Sequence, residues 1–285
     1  MLFTDPHDGT TVRVGLQRST PPFSYAPTAE FRPVGYSVDL ARLTLDRVFS
    51  GAGGVPPLDA VEVTSSTRQR LLAERRIDIE CGSTTITRER SRRCAFSRPV
   101  FRTAHRIAVK PGADLTAGRP RVVGIQGSTS QAALESHADL GFDHAFVGVR
   151  SIGEARDAFL ADRQIDAMVA DEVILRALLR GSGAPAGTEL LDVRLGGENY
   201  GFMMRHEDAA FVRAVDDALA DVFASEEYTR LVERWFVDEL PGLGFGLGMD
   251  PADEAFVPRT RKTGKHPAET GETLAMGTGG FDEHH

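Results

Sequence analysis

Twice along this chain an apolar strand gives way to a helix and a helix to another strand, which restricts it to folds that layer helices on sheets. In the first unit Val12 to Leu16 alternates as a strand, and Gly35-Tyr36-Ser37-Val38-Asp39-Leu40 leads into a helix reaching about Phe49. Val61 to Val63 reads as strand, Ser66 to Ala73 as helix and Ile77 to Cys81 as strand again. The second unit repeats the alternation. Val122 to Ile125 is a strand, Gly127-Ser128-Thr129-Ser130 opens a helix to about His137, Ile152 to Ala161 is a helix, and Ile165 to Val169 a strand. Leu71 to Ile79 (LLAERRIDI) resembles Phe159 to Ala167 (FLADRQIDA). Two lobes built on similar units would give such a match, and so would chance reuse of one helix–strand junction.

Strand-like runs at Ala104 to Val109 and at Asn199 to Met204 fall on either side of the second unit, supplying the two connections that a hinged, two-lobed protein needs. The last helices run from Ala209 to Ala224 and from Glu226 to Phe236. In the first of them Phe211, Val215, Leu219 and Val222 sit at helical spacing and make a core face. From Gly246 to His285 glycine, threonine, proline and charge dominate, and the segment reads as a disordered tail. Its glycines lack the strand–helix setting and lysine of a phosphate loop.

A chain of 285 residues can bury a real core in one or two domains. Its net charge of −8 argues against a nucleic-acid binder. No apolar run approaches the ~18 residues of a membrane helix. Met1 to Thr11 has no apolar signal core, leaving a trimmed export product, a domain of something larger, or a cytoplasmic protein. Cys81 and Cys94 are the only cysteines. They read as two buried thiols, with a disulfide as the alternative in an oxidising compartment. Without histidines at ligand spacing they make no four-ligand zinc site, and no metal or cofactor is expected.

The segment from Ile77 to Ser97 carries the chemistry. An apolar strand runs into Gly82-Ser83-Thr84-Thr85, and a helix start follows with Arg90 in its first turn. Hydroxyls, backbone N–H groups at a helix start and a guanidinium fork suit a carboxylate. Taken alone, Arg90 reads as a solvated surface arginine, and Asp171 could equally be a helix cap.

On Pro22-Phe23-Ser24-Tyr25, Gly35 to Leu40, Asp78 to Ser97, Gly127-Ser128-Thr129, Ile165-Asp166-Ala167 with Asp171, and Trp235-Phe236, the chain resembles the periplasmic amino-acid-binding proteins of ABC import systems, solute-binding protein family 3. The resemblance runs from Val12 to Val237. Through Glu80-Cys81-Gly82-Ser83-Thr84-Thr85 and Thr64-Ser65 with Arg68 it points to the glutamate/aspartate-binding branch. It implies an α/β, type II periplasmic-binding fold, each lobe a mixed sheet flanked by helices and the two joined by a two-strand hinge. Lobe 1 would hold residues 12–104 and 200–241, and lobe 2 residues 105–199. It implies an extracytoplasmic, monomeric protein that closes on an amino acid and serves an ABC permease, with no reaction catalysed and no nucleic-acid partner.

By the same resemblance Arg90 takes the ligand α-carboxylate, with Ser83, Thr85, Ser128 and Thr129 beside it, and Asp171 takes the α-ammonium. Ser65 and Arg68 meet a side-chain carboxylate. Phe23 or Tyr25 walls the pocket, although Phe23 also suits a core, and Ser128 and Thr129 also suit plain helix caps. The chain departs from the branch at Gln17, where it carries an arginine, at Gly153, where it carries a histidine, and at Ile125, where it carries a threonine. Arg18 could substitute for the first if the strand end shifts. Fewer cationic donors leave glutamine or another polar amino acid open as ligand. Two further readings use the same fold: a ligand-sensing domain, and a prephenate/arogenate dehydratase-like enzyme with Glu172 or Glu198 as its acid.

Overall fold

The computed structural model describes residues 11–50, 56–137, 140–181 and 183–249. In chain order the first half contains β1 (Val12–Leu16), a small hairpin of β2 (Ser19–Thr20) and β3 (Ser24–Tyr25), α1 (Tyr36–Phe49), β4 (Leu58–Glu62), α2 (Arg68–Ala73), β5 (Ile79–Glu80) and β6 (Ala95–Phe96). β7 (Phe101–Val109) leads to β8 (Arg121–Ile125), α3 (Thr129–Ser136), β9 (Ala145–Val149), α4 (Ile152–Ala161), β10 (Ala167–Asp171), α5 (Glu172–Gly181) and β11 (Glu189–Leu190). β12 (Gly197–Tyr200), β13 (Met203–Met204), α6 (Ala209–Phe223) and α7 (Glu226–Val232) complete the set.

Two mixed sheets result. The first has the order β4-β1-β5-β13-β6, with β1 parallel to both β4 and β5 and β13 antiparallel to β5 and β6. The second has the order β11-β7-β10-β8-β9, with β8 parallel to β9 and β10, and β10 antiparallel to β7. β7 is long enough to serve three partners. Its start pairs with β12, Phe101 facing Tyr200 and Ala104 facing Gly197, while its end pairs with β10 and β11. These two antiparallel strands are the connections between the lobes. The internal echo has a structural counterpart: α2 leads into β5, parallel to β1, and α4 leads into β10, parallel to β8.

An aromatic cluster holds the base of the crossing strands. Phe101 stacks on Phe236 at 5.2 Å between centroids, and Phe23 packs edge-on against Phe101 at 4.9 Å and Tyr200 at 5.1 Å. All four rings are fully buried, and such pairs add to the area term. The chain enters α1 through Gly35, whose φ of +143° suits glycine, and a Cβ there would stand 2.2 Å from the carbonyl oxygen of Phe23. Ser128 and Ser151 cap α3 and α4, accepting from the N–H groups of Gln131 and Glu154 at 3.1 Å each.

The structure differs from the sequence expectations in several places. Arg90 heads a single 3₁₀ turn, Arg90–Arg92, and not a helix, because its N–H is taken by the Thr87 hydroxyl at 3.1 Å and the chain turns at once into β6. α2 starts two residues late, since Thr64 and Thr67 close a hydroxyl turn ahead of it. α7 ends at Val232 and passes into a π turn, Glu233–Val237, that seats Trp235 against Asp39 at 3.0 Å. α5, β9 and β11 were not expected. Gly246 to Met249, expected to be disordered, are packed: Gly246 bridges Glu239, Leu247 is buried, and the Met249 N–H donates to Phe236 O at 2.9 Å. Residues 250–285 of that expected tail lie outside the described residues. Cys81 and Cys94 are free, buried thiols. Among the described residues no helix is long and apolar enough to cross a membrane.

Candidate functional site

The ends of the parallel strands of both sheets face a common cleft. The first lobe contributes Gln17 and Thr20 after β1, Ser65 and Arg68 at the start of α2, and Ser83, Thr85 and Arg90 after β5. From the second come Ile125 and Ser128 to Ser130 at the junction of β8 and α3, Ile152 of α4, and Val169 to Asp171 at the end of β10. A cleft at strand ends, rimmed by helix starts, is where an α/β fold offers free backbone donors.

Arg90 Nη1 donates to the carbonyl oxygen of Thr85 at 2.9 Å, which fixes the guanidinium against the hydroxyl loop. Burial and the neighbouring Arg68 lower its pKa, while Glu198 and Glu80 raise it. Such a dehydrated cation gains much from an incoming carboxylate. Arg68 is buried, and its Nη1 donates to Thr84 Oγ1 at 2.5 Å; that hydroxyl donates in turn to Glu80 Oε2 at 2.5 Å. Gln17 Oε1 accepts from Thr20 Oγ1 at 3.1 Å and from Ser83 Oγ at 3.2 Å, so its amide is held at the cleft wall.

At the floor, His105 of β7 stands between two carboxylates. Its Nδ1 lies 2.8 Å from Asp171 Oδ1 and its Nε2 lies 2.8 Å from Glu198 Oε1, while Nδ1 also meets the Ser130 hydroxyl at 3.0 Å. Nε2 and Asp171 Oδ1 make no well-angled hydrogen bond, so the two contacts are charge pairs in character. Burial pulls the imidazolium pKa down, but contact with Asp171 and Glu198 outweighs it and takes it up to about 10. The three side chains bring ligand-type atoms within 4.8 Å of one another. The carboxylates sit at opposite ring nitrogens.

Glu198 joins the lobes a second time. Its Oε2 accepts from the hydroxyl of Thr85 in the first lobe, and from that of Thr129 in the second at 3.1 Å.

Of the residues expected at the site, Gln17, Ser65, Arg68, Ser83, Thr85, Arg90, Ser128, Thr129 and Asp171 converge on the cleft. Two do not. Arg18 points away, its Nη2 on Glu62 Oε2 at 2.6 Å and its guanidinium over the Phe31 ring, because the chain bends at this residue after β1 has ended. Phe23 is consumed by the aromatic cluster, and Tyr25 spends its hydroxyl on Pro241 O at 2.9 Å. Gly153 lies where α4 approaches the hairpin: a Cβ there would stand 3.1 Å from Ser19 Oγ. Glu172 is drawn off by Arg176 at 2.7 Å and Arg106 at 3.5 Å. His105 was missed, and Glu198 was considered only as a possible acid. The pairing of Asp171 with His105 across β10 and β7 is a matter of strand register, which no local pattern reveals.

Comparison with known proteins agrees with this architecture. Residues 12–238 match the family described as bacterial extracellular solute-binding proteins, family 3. The L-glutamate/L-aspartate-binding protein of Pseudomonas aeruginosa is 32% identical over 257 residues, covering 86% of this chain and 82% of the relative. The L-arginine-binding protein of the same organism is 28% identical, covering 81% and 90%. Among solved structures, holo ArgBP from T. maritima superposes with a TM-score of 0.63 at 25% identity, covering 79% of this chain and 95% of that one. With the family matched across both lobes, the chain belongs to family 3 of the bacterial extracellular solute-binding proteins.

Proposed function

We propose that this protein works outside the cytoplasm, closing on an amino acid, glutamate or aspartate, and delivering it as a monomer to an ABC permease. The observation that carries the reading is that Arg90 and Asp171 line one cleft from opposite lobes. A guanidinium and a carboxylate so arranged match the two ends of an amino-acid zwitterion. Arg90 takes the α-carboxylate by a forked pair, with backbone N–H groups beside Thr85 and at the start of α3. The Thr85 and Thr129 hydroxyls are already turned to Glu198. Asp171 takes the α-ammonium. Because the partners lie on different lobes, only the closed protein satisfies both ends, which makes closure ligand-dependent.

Arg68, Ser65 and Gln17 form the far wall and suit a second carboxylate. The relative named as binding L-glutamate and L-aspartate supports the same choice. The family is one of solute-binding proteins, which supports a binding role, and the engagement of Glu172 by two arginines disfavours one of the acids an enzymatic reading would use. Calorimetry with the purified protein and a panel of amino acids tests the proposal. Saturable binding of L-glutamate or L-aspartate is expected, and silence across the whole panel would refute it.

A further inference from the structure

At and beneath the cleft, three cations, Arg68, Arg90 and His105, stand against three carboxylates, Glu80, Asp171 and Glu198. The charges cancel. A neutral amino acid enters such a site as a zwitterion and leaves the balance unchanged. Glutamate or aspartate adds one negative charge, and an unmatched buried charge is costly.

The three carboxylates are not equally supported. Asp171 and Glu198 share His105, and Glu198 also receives two hydroxyls. Glu80 is fully buried in the centre of the first sheet and is held by a single hydroxyl, that of Thr84. Its Oε1 has no hydrogen-bond partner, and Arg68 Nη1 stands 3.9 Å away, beyond bonding reach. Arg68 Nε likewise has no partner. A guanidinium and a carboxylate thus lie side by side, incompletely joined, at the part of the cleft lined by Ser65 and Gln17.

We propose that capture of an acidic amino acid is coupled to uptake of a proton by Glu80, which frees Arg68 for the ligand's second carboxylate. The proton comes from solvent and ends on the Glu80 carboxyl; no other bond is made or broken. A neutral amino acid leaves Glu80 ionised and paired with Arg68. Glu80 thereby sets the charge class that the site accepts, and the inference rests on the amino-acid-binding reading above. The groups facing Glu80 are Arg68 from α2, Arg90 from the turn after β5, and the thiols of Cys81 and Cys94. Burial raises the Glu80 carboxyl above the ordinary range, against Arg68, Thr84 and Arg90, which lower it. Burial also raises both thiols, Cys94 to about 11, so they stay neutral and do not supply the charge change.

The test is calorimetry at about pH 8 in two buffers of different ionisation enthalpy, with L-glutamate and with L-glutamine. For glutamate, uptake of about one proton per ligand is expected, with affinity falling up to about tenfold per pH unit as pH rises. For glutamine no uptake is expected. Glu80→Gln should bind glutamate without taking up a proton. Glutamate heats that agree between the buffers overturn the proposal, as does proton uptake that survives in Glu80→Gln. If that variant does not fold, an infrared difference spectrum of the unaltered protein decides: a new protonated-carboxyl band on adding glutamate supports the proposal, and its absence overturns it. Binding of glutamine but not glutamate also overturns it. Saturable heat with neither ligand refutes the amino-acid-binding reading itself, and the inference with it.

Discussion

Asp171 and His105 stand opposite each other in the antiparallel pairing of β10 and β7, and His105 Nδ1 lies 2.8 Å from Asp171 Oδ1. This one contact ties the hinge strand to the residue we propose takes the ligand ammonium. It also brings Glu198, on the other crossing strand, into the same charge cluster. Replacing His105 by Gln removes the cation and leaves two largely buried carboxylates without it. The expected cost is about 3–5 kcal/mol of folding stability, read from urea unfolding. A loss under about 1 kcal/mol would show that the cluster contributes little.

The same cluster makes stability depend on pH. The His105 pKa is raised from 6.5 to about 10, with burial opposing the shift and the two carboxylates prevailing. A raised folded-state value means the native protein holds the proton more tightly than the unfolded chain. The resulting stabilisation is full below about pH 6.5 and is lost as pH rises to about 10. Thermal midpoints should therefore fall across that window, and the fall should be much smaller in His105→Gln. Equal slopes in the two proteins would place the titration elsewhere.

Binding should divide the arginines sharply. Arg90→Ala and Asp171→Asn each leave one end of the ligand zwitterion unpaired and should cost about 2–5 kcal/mol of glutamate affinity, at least ~30-fold. Arg18→Ala should change affinity by less than about twofold, because its partner Glu62 is a half-exposed surface pair on the far side of the strand. Calorimetric dissociation constants check all three.

Gly35 offers a test of the fold alone. An alanine there would need a left-handed φ and would drive its Cβ into the Phe23 carbonyl. Gly35→Ala should lose about 2 kcal/mol or more in urea unfolding. A variant as stable as the parent would contradict the tight entry to α1.

Much of the architecture was legible because the strands are apolar and buried, and the helices carry clear start signals. Val12–Leu16 and Ile152–Ala161 match the expected bounds, and Ser128 and Ser151 cap the helices that follow them. α5 was hidden because it follows β10 without a break, Asp171 ending the strand and Glu172 beginning the helix. The cleft residues near Ser83 and Arg90 were legible because a hydroxyl run after a buried strand is a local pattern. His105 was not, since its meaning comes from two strands paired across more than sixty residues of sequence. Arg18 misled because the chain bends just after β1 and carries its side chain to Glu62 and Phe31, out of the cleft.

The central claim is that Arg90 and Asp171 clamp the two ends of one amino acid. A crystal structure of the protein grown with L-glutamate tests it most directly. The ligand α-carboxylate should lie in forked contact with the Arg90 guanidinium at about 2.7–2.9 Å, and the ammonium within hydrogen-bond distance of Asp171. A bound glutamate whose ammonium and α-carboxylate touch neither residue would contradict the account.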